Sequence, residues 1–155
     1  MRLAYVTPCD AKNLNTHLNW SGTNSYIIAE ALKGQSIHIE VGKKLNIPGL
    51  NTELTIVGCQ SIIKGYLPNF IKPLGFIQKS TPEGKKKIYQ LIANSHFLIL
   101  PSLANCTPIV FCEANSLGVP CISSKVAGIP TMIKNNLNGK LFDKNSDTTK
   151  YCKYI

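Results

Sequence analysis

Short apolar runs alternate with amphipathic stretches along most of the chain. The apolar runs predict buried strands and lie at residues 3–7, 37–41, 54–58, 71–76, 97–100, 121–123 and 140–142. The amphipathic stretches have helical spacing and lie at residues 22–32, 82–93, 108–117 and 130–134, with a further short helix after Ser146 or Asp147. Strands that alternate with helices are typical of an α/β domain with a mostly parallel sheet and flanking helices. We predict that fold class.

The helix predicted at residues 108–117 has signals at both ends. Thr107 is a good N-cap, and Pro108 suits the first helical turn because its fixed φ is already helical. Gly118 can close the C-terminus in the left-handed conformation. We therefore expect a short, well-bounded helix here.

Glu113 is the one acidic residue in that apolar helix. Its carboxylate either reaches solvent or a basic partner, as in an ordinary helix, or it binds a ligand. Ligands of parallel α/β sheets bind at the carboxyl ends of strands, against helix N-termini, which places residues 105–108 on the functional edge. Helix starts favour anions, and the predicted helix that begins at Gly22 offers a second such start. For both starts the alternative is an ordinary cap without a ligand.

Length and composition favour one globular domain. The chain has 155 residues, of which 44% are hydrophobic and 16% are charged, so a packed core is expected and disorder is not. No apolar run approaches the ~20 residues of a membrane-spanning helix. The first ten residues lack the apolar length of a secretory signal. We expect a cytoplasmic protein.

The formal net charge of +9 favours an anionic partner. Nucleic acid, a phospholipid surface and a phosphorylated metabolite all satisfy that requirement. The densest basic cluster, Lys85 to Lys87, lies in a predicted helix, where a solvated face explains it, and no nucleic-acid motif accompanies it. We expect no nucleic-acid partner, and peripheral contact with an anionic membrane stays open.

The cysteine and histidine spacings do not predict a metal site. Six cysteines are scattered without a CxxC pair, and the three histidines do not cluster in sequence. We interpret the cysteines as reduced thiols and expect no metal.

Six segments in a fixed order resemble the donor-binding domain of family 4 glycosyltransferases, the group 1 retaining enzymes. The segments are ELTIVGC, PLGFI, IYQLIANSHFLILPS, CTPIVFCEANSLGVPCISS, AGIP and NNLNGKLF. The resemblance implies a GT-B fold, which has two Rossmann-like domains. Residues 1–42 resemble the strand-helix-strand beginning of the N-terminal domain, and residues 43–155 resemble part of the C-terminal domain. Family members are roughly twice this length, so the resemblance implies that most of the acceptor domain and the start of the donor domain are missing.

The two parts are expected to form one compact unit. In that unit residues 37–41 would take the sheet position of the lost strand.

The resemblance assigns roles to several residues of the donor site. In the family's E-x7-E pattern Glu113 matches the second glutamate, which binds ribose hydroxyls of the nucleotide, and Asn105 stands in place of the first. The segment Thr107, Pro108, Ile109 and Val110 would offer helix-start N–H groups to the diphosphate or sugar. Gly22 would belong to the loop that approaches the diphosphate. Neither Lys43 nor Lys44 matches the family's basic diphosphate-binding residues, and no catalytic residue is assigned.

The function implied by the resemblance is transfer of a glycosyl group from a nucleotide sugar with retention, without a cofactor beyond the donor itself. The alternatives are an inactive nucleotide-binding or nucleotide-sugar-binding fragment and a basic polyanion-binding α/β protein. A complementing chain or a second copy could supply the missing half of the site. For the isolated chain we expect donor binding without measurable transfer.

Overall fold

The structure is a computed structural model that describes residues 2–6, 40–41, 43–45, 52–57, 68–102 and 108–155. The strands are β1 (Arg2–Val6), β2 (Glu53–Val57), β3 (Ile71–Gly75), β4 (Phe97–Leu100), β5 (Cys121–Ser124) and β6 (Gly139–Phe142). The helices with described bounds are α1 (Pro82–Ala93), α2 (Ile109–Ser116), α3 (Ile129–Met132) and α4 (Thr148–Tyr154).

The six strands form one parallel sheet in the order β3-β2-β1-β4-β5-β6. The order runs outward from β1 in one direction and from β4 in the other, so it reverses between these two strands. This is the strand order of a doubly wound Rossmann-like sheet, and the predicted α/β fold class is confirmed. Ligands of such sheets bind at the carboxyl edge, where the order reverses.

One predicted strand is wrong where the structure describes it. Residues 40–41 of the run 37–41 are helical, as are residues 43–45. Val41 and Leu45 are buried, whereas Glu40 and Lys44 are exposed. Burial at a spacing of four residues is the pattern of a helix face, so the helical period decides the local structure.

Residues 40–41 are helical, so they do not supply the expected strand. Strand β1 lies in the middle of the sheet, where it pairs with β2 and β4. Segments that we assigned to two different domains therefore contribute strands to one sheet. The assignment of residues 1–42 and 43–155 to two domains of the family remains a prediction. The helix predicted at residues 22–32 lies outside the described residues.

Buried apolar side chains join the helices to the sheet. Helix α1 contributes Ile88 and Ile92, which are one helical turn apart. Helix α2 contributes Val110, Phe111 and Ala114, which lie on one face of the helix. The strands contribute a nearly continuous apolar layer, as expected for a parallel sheet covered on both faces. The buried apolar residues of β4 and β5 are Leu98, Ile99, Leu100, Cys121 and Ile122.

Helix α2 ends as its sequence predicts. Gly118 has φ of 72°, and its N–H donates to the carbonyl of Asn115 at 3.1 Å. The next N–H, that of Val119, donates to the carbonyl of Ala114 at 2.9 Å. This paired arrangement is a Schellman motif, which favours glycine because the left-handed conformation strains residues with a Cβ. The chain then turns directly into β5.

Candidate functional site

Helix α2 begins at the carboxyl edge of the sheet, after β4 and next to the point where the strand order reverses. The loop of residues 76–81, between β3 and α1, leaves the same edge. Both segments lie where a parallel α/β sheet binds its ligands.

Among the described residues, no side chain caps the start of α2. Pro108 occupies the N-cap position with φ of −66° and ψ of 117°, and the helix begins at Ile109. We predicted Thr107 as the N-cap and Pro108 in the first helical turn. The extended ψ of Pro108 keeps it just outside the helix, so Pro108 itself is the N-cap. Its carbonyl accepts the N–H of Phe111 at 3.1 Å, which forms a tight first turn. The first N–H groups of a helix have no acceptor inside the helix, so those of Ile109 and Val110 can bind a ligand or solvent.

The side chains of the first turn of α2 indicate that a polar ligand would contact its backbone. Ile109 is 72% exposed, whereas Val110 is buried among core residues. An isoleucine side chain offers no hydrogen bond, so contact with a polar ligand here would use backbone N–H groups. No acidic residue lies in the first turn of α2 to compete for them or to repel an anion.

Glu113 lies one turn further along α2. Its side chain is only 11% exposed, and Oε1 accepts a charged hydrogen bond from Nζ of Lys79. Oε2 is buried and has no hydrogen-bond partner among the described residues. A basic partner was one of the two alternatives that the sequence left open for Glu113, and the structure supplies it for one oxygen. The other oxygen retains its full capacity to accept hydrogen bonds.

The sequence did not single out Lys79. It lies 34 residues before Glu113, in the loop of residues 76–81, and no local pattern distinguishes it from the other lysines. The pairing joins the loop after β3 to α2, so it is a tertiary feature.

The loop that carries Lys79 is closely attached to the start of α1. Oγ1 of Thr81 accepts the N–H of Gly84 at 3.1 Å and caps the helix. A Cβ at Gly84 would lie 1.9 Å from the carbonyl oxygen of Gln78, so only glycine permits this approach. Nε2 of Gln78 donates to Oγ of Ser80 at 2.9 Å. Contacts on both sides of Lys79 therefore fix its backbone.

Four of the residues proposed for donor binding are described and share one helix start: Pro108, Ile109, Val110 and Glu113. Gly22, Asn105 and Thr107 lie outside the described residues, and their roles remain predictions. Among the described residues there is no group of three or more histidine, cysteine or acidic side chains that could hold a metal ion. None of the described helices is long and apolar enough to span a membrane.

Two of the described cysteines lie on or near α2 with different environments. Cys112 is exposed, and Cys121 is buried under the helix. Burial raises the pKa of the Cys121 thiol to about 12, with a smaller contribution from Cys112. Cys121 therefore stays protonated at neutral pH and acts as a small apolar side chain.

A separate groove of about 320 Å³ lies at the opposite edge of the sheet. It is lined by Glu53 at the beginning of β2 and by Asn94 and Ser95 just after α1. The amino ends of the strands lie here, so this groove is remote from Glu113.

Comparison with known families decides what kind of protein carries this site. The model of the family described as glycosyl transferases group 1 matches residues 28–155, which is well over half of the chain. The chain belongs to the group 1 glycosyltransferases. The match includes β2 to β6, α2 and Glu113, so the candidate site lies within the family's own region.

This chain spans less than a third of the length of the named relatives that it matches. The amylovoran biosynthesis glycosyltransferase AmsK of Erwinia amylovora is 28% identical over 123 residues, covering 70% of this chain and 29% of AmsK. The UDP-Gal:alpha-D-GlcNAc-diphosphoundecaprenol alpha-1,3-galactosyltransferase of Escherichia coli is 34% identical over 61 residues, covering 39% of this chain and 16% of that enzyme. Both are glycosyltransferases by name, which supports an enzyme family for this chain.

Solved structures confirm the fold. Anabaena HepE in complex with UDP-glucose has a TM-score of 0.66 at 18% identity, covering 99% of this chain and 37% of HepE. The apo form of the lipopolysaccharide outer core galactosyltransferase WaaB has a TM-score of 0.65 at 21% identity, covering 98% of this chain and 38% of WaaB. At these identities the likeness concerns the fold, which is that of GT-B glycosyltransferases.

Proposed function

We propose that this chain binds a nucleotide sugar at the start of α2 and serves as the donor-binding part of a retaining, family 4 type glycosyltransferase. The observation that carries the proposal is the carboxylate of Glu113. It is nearly buried at the carboxyl edge of the sheet, and its Oε2 has no partner among the described residues.

A buried carboxylate oxygen without a partner is costly, because it has lost water and gained nothing in return. A ligand that donates hydrogen bonds to this oxygen removes that cost. Adjacent ribose hydroxyls suit this task, since a carboxylate accepts several O–H donors and charged acceptors form the stronger hydrogen bonds. We therefore assign Glu113 to the ribose of the donor nucleotide.

The start of α2 suits the diphosphate. Its first N–H groups lie about one turn from Glu113, and the helix dipole adds partial positive charge at this end. During transfer the anomeric C–O bond breaks and negative charge develops on the departing diphosphate. Oriented N–H groups stabilise such charge without reorganising. We assign this role to Ile109 and Val110. We assign Asn105, which precedes Ile109 by four residues in the sequence, to the sugar.

Uridine nucleotides are the first probes to use, because one similar structure holds UDP-glucose and another holds UDP. The experiment measures the Tm of the chain with millimolar UDP, GDP and ADP. A ligand at about 100 times its Kd stabilises by ~2.7 kcal/mol, which raises the Tm of a chain of this size by roughly 5–10 °C. Glu113→Ala should abolish the increase.

The matched control is Glu83→Ala, which removes an exposed carboxylate from the first turn of α1. It should retain the full increase. If none of the three nucleotides changes the Tm of the wild-type chain, the proposed donor site is refuted. Binding to any polyanion that weakens steeply with salt and ignores Glu113→Ala would favour the charge-driven alternative instead.

A further inference from the structure

We propose that Lys79 is a positioning residue for donor binding, which holds the Glu113 carboxylate in place through Oε1 while Oε2 receives the ribose. The inference rests on the proposed function, because it requires that Glu113 binds the nucleotide. It adds a residue from a different loop to the donor site.

The two oxygens of Glu113 have unequal environments. Oε1 is paired with Nζ of Lys79, whereas Oε2 is buried and without a partner among the described residues. A lysine ammonium is a point charge with three donors, and one of them is enough to fix the near oxygen. Fixing one oxygen also fixes the plane and position of the other. The carboxylate is thus oriented before the nucleotide arrives.

Lys79 itself is held in place. The backbone on both sides of it is fixed by the approach of Gln78 to Gly84 and by the Thr81 cap. The Lys79 side chain is 39% exposed, so its remaining donors keep contact with water and its charge is not stranded in the core. A preorganised partner lowers the ordering cost of binding, because the ligand need not immobilise the carboxylate.

Lys79 need not leave when the nucleotide binds. A carboxylate has about four lone-pair sites, and one hydrogen bond to Lys79 leaves about three for two ribose hydroxyls. The lysine also places a positive charge beside a nearly buried carboxylate, which offsets part of the cost of burying that charge. The ion pair and the ribose contact are compatible, and the first supports the second.

The test measures Kd by calorimetry for UDP and for 2′,3′-dideoxy-UDP, which carries the same base and diphosphate but lacks both ribose hydroxyls of the nucleotide. The wild-type chain should bind UDP at least about tenfold more tightly, as expected for hydrogen bonds to a charged group. Lys79→Met removes the charge while keeping a long unbranched side chain. It should weaken UDP about tenfold and leave 2′,3′-dideoxy-UDP unchanged.

Two further variants complete the design. Lys79→Arg keeps a cation at this position and should restore at least part of the preference for UDP. Lys86→Met removes an exposed lysine of α1 and should change neither Kd, which separates a local role from the loss of net charge. A Tm measured for each variant establishes that it is folded.

The outcomes separate the inference from the function on which it rests. If the wild-type chain binds both nucleotides equally, or neither, the ribose role of Glu113 fails and the inference fails with it. If the wild-type chain prefers UDP and Lys79→Met retains the full preference, the proposed function stands and the role of Lys79 is refuted. Equal weakening of both nucleotides in Lys79→Met also refutes it, and would place the lysine at the diphosphate.

Discussion

Helices α1 and α2 both begin at the carboxyl edge of the sheet, but their starts differ. Helix α1 is capped by its own chain, because Oγ1 of Thr81 accepts the N–H of Gly84 and Glu83 adds negative charge in the first turn. Helix α2 begins after Pro108, where no side chain of the described part of the chain caps it, and its first turn has no acidic residue. The start of α1 satisfies the N–H of Gly84 with its own side chain, and its negative charge disfavours anions. The start of α2 leaves its first N–H groups for a partner.

Helix α4 follows the pattern of α1. The side chain of Asp147 accepts the N–H groups of Thr149 and Lys150 at 2.9 and 3.1 Å. Two helix starts are thus built for local stability, whereas α2 draws its stability from burial of its apolar face. The difference indicates that the start of α2 can be devoted to binding because packing, rather than capping, holds the helix in place.

The largest expected effect tests whether packing holds α2. Phe111→Ala removes a fully buried ring from the helix, and we expect the free energy of unfolding to fall by ~3–5 kcal/mol. Ile109→Ala, two residues earlier and 72% exposed, should change it by less than ~0.5 kcal/mol. Urea unfolding monitored by circular dichroism measures both. Similar losses for the two variants would show that α2 is not held by its buried face.

A smaller effect tests the cap of α1. Thr81→Ala removes the side-chain acceptor of the Gly84 N–H and should lower the free energy of unfolding by ~1 kcal/mol, while Thr81→Ser should retain most of it. Urea unfolding measures the change. A loss in Thr81→Ser as large as in Thr81→Ala would mean that the hydroxyl is not what stabilises this start.

The smallest effect depends on pH and concerns α4. Hydrogen bonds from the backbone N–H groups, that of Lys150 above all, lower the pKa of Asp147 in the folded chain. A lowered pKa stabilises the folded state above the unfolded value of about 4, and this stabilisation is lost as the pH falls through the folded value. Asp147→Asn should therefore have a slightly lower Tm than wild type at pH 6 and the same Tm near pH 2. A constant difference across this range would contradict the assignment.

Much of this architecture could be predicted because its signals are local. The strand Phe97–Leu100 has the predicted bounds because a short apolar run indicates a buried strand. The helix Pro82–Ala93 also has the predicted bounds, because a Thr-Pro pair is typical of a helix start. The strand prediction for residues 37–41 was wrong because two patterns overlap there. Ile37, Ile39 and Val41 alternate as in a strand, whereas Val41 and Leu45 have the spacing of a helix face. Only packing against the rest of the fold decides between these two periods.

The candidate site could be predicted only in part. Glu113 stood out because an acidic residue in an apolar helix needs a reason. Lys79 did not, because a solvent-accessible lysine in a loop is ordinary and its partner lies 34 residues away. The central position of β1 was also beyond reach, since strand order depends on contacts between segments that are distant in sequence.

The most direct test of the account asks where a nucleotide binds. Titration of the 15N-labelled chain with UDP, followed by amide chemical shifts, reports on both helix starts at once. We predict saturable shifts centred on the amides of Ile109, Val110 and Glu113, while the amide of Gly84 is unaffected because Thr81 already caps it. Shifts centred on Gly84, or on the remote groove around Asn94, would contradict the claim that the start of α2 is the donor site.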